Sequence, residues 1–306
     1  MNKPTTLLLH FDEDQISAQR IASAAGMTCA RIARHRFPDG ELKLRLPAEL
    51  PPRVVLLRTL DNPNEKLVEL LLVARTARTL GASHLTLVAP YLAYMRQDIA
   101  FQSGEVVSQR VVGRFLADLF DAVITVDPHL HRVATLQEAV PVLQATVLSG
   151  APLLADVIAS HHTAPLLIGP DEESAQWIAQ AALGHGFDFG VCHKVRHGDR
   201  DVQIALPENI SFAGRAVVLL DDVASSGRTL AGAAHLLLAG GAASVDVAVT
   251  HALFAGDALQ VIKNAGVDKV WSTDCISHPS NAVSMAACIA DALLSHNHQD
   301  IPVGHL

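Results

Sequence analysis

Residues Val217–Leu230 read VVLLDDVASSGRTL. Val217–Leu220 is a short, fully apolar strand, followed by two carboxylates, Asp221 and Asp222. Small hydroxyl residues and a glycine come next, and then a helix begins near Thr229. In open α/β sheets, ligands bind beyond the carboxyl ends of the strands. The N-terminus of the following helix offers unpaired N–H groups to an anion. Ser225, Ser226 and Thr229 add hydroxyl donors, and Gly227 lets the backbone approach closely. Asp221 and Asp222 suit vicinal hydroxyls better than a phosphate, so one loop can grip a phosphate at one end and ribose hydroxyls at the other. The same residues also describe a capped helix after a strand, with both acids on the surface.

Outward from this turn, short β-branched runs alternate with longer amphipathic ones. Strands are expected at Thr5–His10, Val54–Arg58, Leu85–Ala89, Ala122–Val126, Leu166–Gly169, Ser244–Thr250 and Lys269–Thr273. Between them lie helical stretches such as Glu65–Leu80, where Leu67, Leu70, Leu71 and Ala74 recur at helical spacing. This alternation implies βαβ units and mainly parallel sheets flanked by helices. A break near Thr146–Pro152 divides the chain into two similar α/β halves, 1–148 and 149–306. Pro38-Asp39-Gly40 before the alternating ELKLRL marks a hairpin in the first half.

Half of the 306 residues are apolar and 18% are charged, which suits a large buried core. The formal net charge of −8, without a run of Lys or Arg, argues against a nucleic-acid partner. The four cysteines have no Cys-x-x-Cys spacing, so reduced thiols in a cytoplasmic protein are expected. MNKPTTLLLHFDED does not read as a signal peptide, and no apolar run reaches the roughly 18 residues of a membrane span.

VVLLDDVASSGRTL resembles the phosphoribosyl-diphosphate (PRPP) loop of type I phosphoribosyltransferases and of ribose-phosphate diphosphokinases. Further segments resemble the diphosphokinases. Arg36–Glu41, RFPDGE, is similar to their adenine-contacting hairpin, which assigns Phe37, Asp39 and Glu41 to ATP. Pro90–Asp98, PYLAYMRQD, is similar to a segment of their nucleotide site and adds Arg96 and Gln97. Val126–Arg132, VDPHLHR, resembles the segment with a metal-linked histidine, here His129. Leu167–Ser174, LIGPDEES, resembles the diphosphate-binding turn, in which Asp171 would bind magnesium. Cys192–Arg200, CHKVRHGDR, matches a flexible catalytic loop whose Lys-x-Arg pair is Lys194 and Arg196. Taken alone, each has a structural reading: a turn with a core Phe, a solvated Arg, a hydrogen-bonded His, a helix cap, a basic loop.

The resemblance implies two phosphoribosyltransferase-like domains, ATP-binding in 1–148 and ribose-5-phosphate-binding in 149–306. It implies transfer of the diphosphoryl group of ATP to ribose 5-phosphate with Mg2+, giving PRPP and AMP. Asp221, Asp222, Ser225, Ser226, Gly227 and Thr229 would hold the ribose 5-phosphate. In the family the hairpin and Arg96 come from different subunits, which implies a homodimer or a larger homo-oligomer. Ser225 stands where many members carry Asp, and Ile99–Glu105, IAFQSGE, lacks their basic residues. The VDPHLHR form leans toward the shorter, archaeal-like members. The alternatives are a phosphoribosyltransferase that consumes PRPP and a non-catalytic regulatory relative.

Overall fold

The computed structural model describes residues 6–196, 202–207 and 210–299. They fall into two compact units, one of 6–148 with 285–299 and the other of 149–284. The first contains β1 (Thr6–His10), α1 (Gln15–Ala24), β2 (Thr28–Arg31), β3 (Ala33–Arg36), β4 (Leu42–Arg45), β5 (Arg53–Leu57) and α2 (Pro63–Thr79). It continues through β6 (His84–Ala89), α3 (Ser108–Ala117), β7 (Ala122–Val126), α4 (Leu136–Ala139) and β8 (Gln144–Leu148). The second contains α5 (Ala151–His161), β9 (Leu166–Gly169), α6 (Ala175–His185), β10 (Asp188–Val191), β11 (His193–Arg196), β12 (Val202–Ala205) and β13 (Ala216–Ala224). There follow α7 (Arg228–Ala239), β14 (Ser244–Ala252), α8 (Ala258–Asn264), β15 (Val270–Thr273) and β16 (Asn281–Val283). The last helix, α9 (Ala286–Gln299), belongs to the first unit.

Each unit is built on a six-stranded sheet, ordered β2-β1-β5-β6-β7-β8 and β10-β9-β13-β14-β15-β16. All pairings within these sheets are parallel. Two antiparallel hairpins, β3–β4 and β11–β12, stand outside them. Strand alternation sorts the core of the second unit. Leu166, Ile168, Val217 and Leu219 pack with α7 and α8 on one face. Leu167, Val218 and Leu220 pack with α5 and α6 on the other. A sheet covered on both faces needs strands apolar throughout, which is what made β7 and β9 readable.

The structure departs most from the expected boundaries in three places. β13 runs on through Asp221–Ala224, because β14 is equally long and pairs with it as far as Ala224↔Ala252. The segment 285–299, expected with the second half, packs on α1 and β8 of the first. Its buried Ile289, Leu293 and His296 recur at helical spacing, and His296 Nε2 bonds Thr146 Oγ1 at 2.7 Å. The expected loop Cys192–Arg200 contains a strand over His193–Arg196, and its remainder, 197–200, lies outside the described residues, as does Thr5.

Candidate active site

In the second unit, β9 and β13 are neighbours, so their C-terminal ends open side by side. β9 ends in Gly169, where a Cβ would lie 2.1 Å from Ser174 Oγ and 2.6 Å from Ile178 Cδ1. Only glycine lets the turn into α6 close this tightly. Asp171 then caps that turn, accepting from Glu173 N–H at 3.1 Å. Its capping role is therefore real, and it places the carboxylate at the strand ends.

Asp221 and Asp222 lie in the C-terminal part of β13, with Asp222 buried and Asp221 half-buried. Asp221 accepts a hydrogen bond from the Asp222 N–H at 3.0 Å. Burial, and then the charges of Asp222 and Asp171, push the Asp221 carboxyl well above the usual carboxylate range. The three acids thus share one electrostatic environment. Among the described residues, no three His, Cys, Asp or Glu side chains converge as a metal-holding group.

Ser225 and Ser226 follow, and Gly227 caps α7 with φ +70°. This left-handed turn is open to glycine and closed to most residues. A Cβ at Gly227 would also meet Ala258 O at 2.9 Å and Ile262 Cδ1 at 2.9 Å. Gly227 has no side chain to cap α7, so the first-turn N–H groups are left for other acceptors. Thr229 is in that first turn. The six residues of the expected sugar-phosphate set are thereby brought to one strand-to-helix junction.

Lys194 and Arg196 lie on β11, paired with Ile204 and Val202 of β12. Sequence reading missed the anchor of this hairpin. His193 Nδ1 bonds Glu172 Oε1 at 2.8 Å, and Cys192 N–H donates to Gly169 O at 2.8 Å. Both bonds tie the start of the hairpin to the turn that carries Asp171. Burial and then the Asp171 charge push the Cys192 thiol up to about 12, which makes it a packing residue.

The other expected residues belong to the first unit. Phe37, Asp39 and Glu41 form the exposed turn of the β3–β4 hairpin. Phe37 packs edge-on against His35 at 4.8 Å, and Glu41 N–H donates to Asp39 Oδ1 at 3.1 Å. The hairpin is held by Arg36, which pairs with Glu65 of α2 at 2.5 Å. The neighbouring residue, Asn64, accepts from the Tyr94 hydroxyl. The first turn of α2 therefore steadies both the hairpin and the segment bearing Arg96 and Gln97. Arg96 is exposed, while Gln97 accepts from Ser108 Oγ at 3.0 Å. His129 is half-buried after β7, its ring stacked on His131 with centroids 6.5 Å apart. A buried residue joins these segments: Asp98 accepts from Arg132 N–H at 3.1 Å and pairs with its guanidinium at 2.7 Å. Tyr94 and Asp127 also hold positive φ, 66° and 35°. Such backbone in non-glycine residues concentrates at functional sites. The expected metal pair is thus divided, His129 in one unit and Asp171 in the other.

Residues 6–119 match the family model described as the N-terminal domain of ribose phosphate pyrophosphokinase, and 142–285 match the phosphoribosyl transferase domain. A ribose-phosphate pyrophosphokinase of Methanopyrus kandleri is 34% identical over 291 residues, covering 94% of this chain and 98% of its own length. The chain belongs to the ribose-phosphate pyrophosphokinase family. Another pyrophosphokinase, from Halobacterium salinarum, is 34% identical over 290 residues, covering 94% of this chain and all of its own. Both relatives are archaeal. The crystal structure of phosphoribosylpyrophosphate synthetase from Mycobacterium smegmatis superposes with a TM-score of 0.82 at 22% identity, over 96% of this chain and 99% of that one. At that identity the superposition speaks for the fold of this pyrophosphokinase-family chain.

Proposed function

We propose that this chain transfers the diphosphoryl group of ATP to the C1 hydroxyl of ribose 5-phosphate, giving PRPP and AMP. The C1 oxygen bonds to the β-phosphorus in line, and the bond from that phosphorus to the bridging oxygen breaks. AMP leaves with the bridging oxygen, and the hydroxyl proton passes to solvent. One observation carries the reading: the acids in the C-terminal part of β13, the left-handed Gly227 and the start of α7 form one junction, beside the turn that anchors the Lys194 hairpin.

Ser225, Ser226, Gly227 and Thr229 hold the 5-phosphate through hydroxyl and N–H donors, as helix N-termini hold anions. Asp221 and Asp222 accept from the ribose hydroxyls. Phe37 stacks on the adenine, Asp39 and Glu41 accept from its amino group, and Arg96 and Gln97 bind the nucleotide beside it. Lys194 and Arg196 neutralise charge on the transferred group, which is the main demand of phosphoryl transfer. Burial and then the charges of Asp222 and Asp171 raise the Asp221 carboxyl, and a cation beside these acids would offset that concentration of negative charge. Asp171 and His129 would hold Mg2+, which favours oxygen ligands and keeps waters, and which would supply charge neutralisation of the phosphates when bound. The enzyme works in the cytoplasm as a homodimer or larger homo-oligomer, each hairpin completing a neighbour's nucleotide site.

The test is incubation with ATP, Mg2+ and ribose 5-phosphate, with AMP and PRPP followed together. Equal release of both is expected; absence of AMP across several divalent metals would sink the reading. Lys194→Ala should lower kcat by about a hundredfold or more with little change in the ribose 5-phosphate KM. Unchanged turnover would remove Lys194 from the chemistry.

A further inference from the structure

The sugar-phosphate loop of the second unit does not stand by itself. The segment between β14 and α8 lies against its outer side, where Phe254 N–H donates to Ala224 O at 2.8 Å and Ala255 N–H donates to Ser225 O at 2.9 Å. A trans peptide is planar, with its C=O and N–H pointing in opposite directions. Carbonyls of Ala224 and Ser225 turned toward this segment therefore turn the N–H groups of Ser225 and Ser226 to the opposite side of the loop. That is the direction an anion-binding loop requires.

Phe254 makes this arrangement at φ +36°, in the left-handed region that a bulky side chain avoids. The residue is 8% exposed, part of the core beside Ala258 and Ile262, and its ring packs against His278 with centroids 4.9 Å apart. His278 is fixed in turn, its N–H donating to Asn281 Oδ1 at 2.9 Å and its Nδ1 bonding Ser280 Oγ at 2.7 Å. The same α8 residues, Ala258 and Ile262, are those against which Gly227 packs. Strained backbone persists where the surroundings over-determine it. Here the surroundings are a ring wedge, and the strained residue holds a loop.

We propose that Phe254 is a positioning residue for the sugar-phosphate loop: its ring, wedged against His278, holds a left-handed backbone whose N–H sets the orientation of the Ala224–Ser226 peptides. This rests on the reading of the loop as the ribose 5-phosphate site. A ring that merely fills volume and a ring that enforces a conformation predict opposite orders for two variants. Phe254→Ala loses the wedge and must still adopt positive φ. Phe254→Gly removes more volume but adopts positive φ freely.

The experiment compares steady-state constants and calorimetric ribose 5-phosphate binding for the full-length wild type, F254A, F254G, H278A and T229A. Expected for F254A is a rise of about tenfold in the ribose 5-phosphate KM, with kcat and the ATP KM changed less than about twofold. F254G should lie nearer the wild type than F254A. An F254G as impaired as F254A or more so would overturn the proposal, as would an unchanged KM in F254A. T229A separates failure of the brace from failure of the sugar-phosphate site. If it raises the KM while the Phe254 variants do not, the brace alone fails. If T229A also leaves KM and binding unchanged, the sugar-phosphate reading of the loop fails first. Should F254A not fold, as judged by circular dichroism, H278A carries the test: a rise in KM of about threefold or more supports the wedge, and an unchanged value overturns it.

Discussion

Replacing Gly227 by Ala perturbs the proposed sugar-phosphate loop with the fewest added atoms, and its effect can be worked from the geometry. The residue holds φ +70°, which a residue with a Cβ adopts at a penalty of about 1–2 kcal/mol. The added carbon would also sit 2.9 Å from Ala258 O, a backbone atom, and 2.9 Å from Ile262 Cδ1. Forcing an extra group into packed surroundings costs about 1–3 kcal/mol. The loop can keep its shape, and the penalty then appears as lost stability. Alternatively it can move, and the penalty then appears as lost ribose 5-phosphate affinity, about 30-fold for roughly 2 kcal/mol. Urea unfolding and calorimetric titration together capture both routes. Gly186→Ala is the control, since that glycine also has positive φ, +65°, but nothing within 4 Å of its Cβ position and no place in the loop. It should lose about 1 kcal/mol of stability and no affinity. If Gly227→Ala changed affinity by less than about twofold and stability by less than about 0.5 kcal/mol, the tight seating of the loop on α8 would be refuted.

Three further outcomes follow from buried charge in the units. Arg58 is 1% exposed and pairs with Asp14 at 2.8 Å and Glu69 at 2.5 Å, so Arg58→Met should destabilise the protein by about 3–5 kcal/mol in urea unfolding, since buried Asp14 loses its guanidinium and Glu69 keeps only that of Arg34. Burial, opposed by Arg58, pushes Asp14 up to about 6 from an ordinary 3.8. A folded-state pKa raised in this way contributes stability that is full below pH 3.8 and lost as pH rises through about 6. The wild type should therefore lose on the order of 3 kcal/mol relative to Asp14→Asn between pH 4 and 7, and parallel stability curves would remove Asp14 as the source. Cys192, pushed up to about 12, should resist a thiol reagent at pH 8 until the protein is unfolded, so that Cys192→Ser leaves the native thiol titre unchanged.

Strands buried on both faces were legible because their apolar runs have no competing explanation: β7 and β9 begin and end where their sequences indicate. Edge elements were not. β8, QATVL, is partly exposed along its length, and β10 and β16 are short edge strands whose composition is shared with loops. The extension of β13 through Ala224 was hidden for another reason, because it depends on the length of β14 and on a pairing register that no local pattern encodes. Among site residues, the glycine and the acids announce themselves by type and order. The Asp98–Arg132 pair, 34 residues apart, and the bonds from Phe254 and Ala255 to the loop are tertiary facts. A phenylalanine at positive φ has no signature in sequence, since its own preference opposes the conformation it adopts.

The two sheets share one strand order, and each sends out a hairpin between its edge strand and its third strand, yet their corresponding strand ends carry opposite charge arrangements. In the first unit the parallel pairing of β1 with β5 ends at Leu9↔Leu56, and two residues further along is Arg58. In the second the pairing of β9 with β13 ends at Ile168↔Leu219, and two residues further along is Asp221. Arg58 neutralises Asp14, Glu69 and Glu13 around it, so that the first unit fills this crevice with its own ion pairs. Asp221 instead meets the negative charges of Asp222 and Asp171, which together with burial raise its carboxyl. A crevice neutralised from within has its charges already paired, so a charged ligand has little to offset there. A crevice in which acids face one another is held at a cost that hydroxyl donors or a cation relieve on binding. The same topology thus yields two crevices of opposite electrostatic character, and the difference between them rests on the residue two places beyond the end of the central strand pairing.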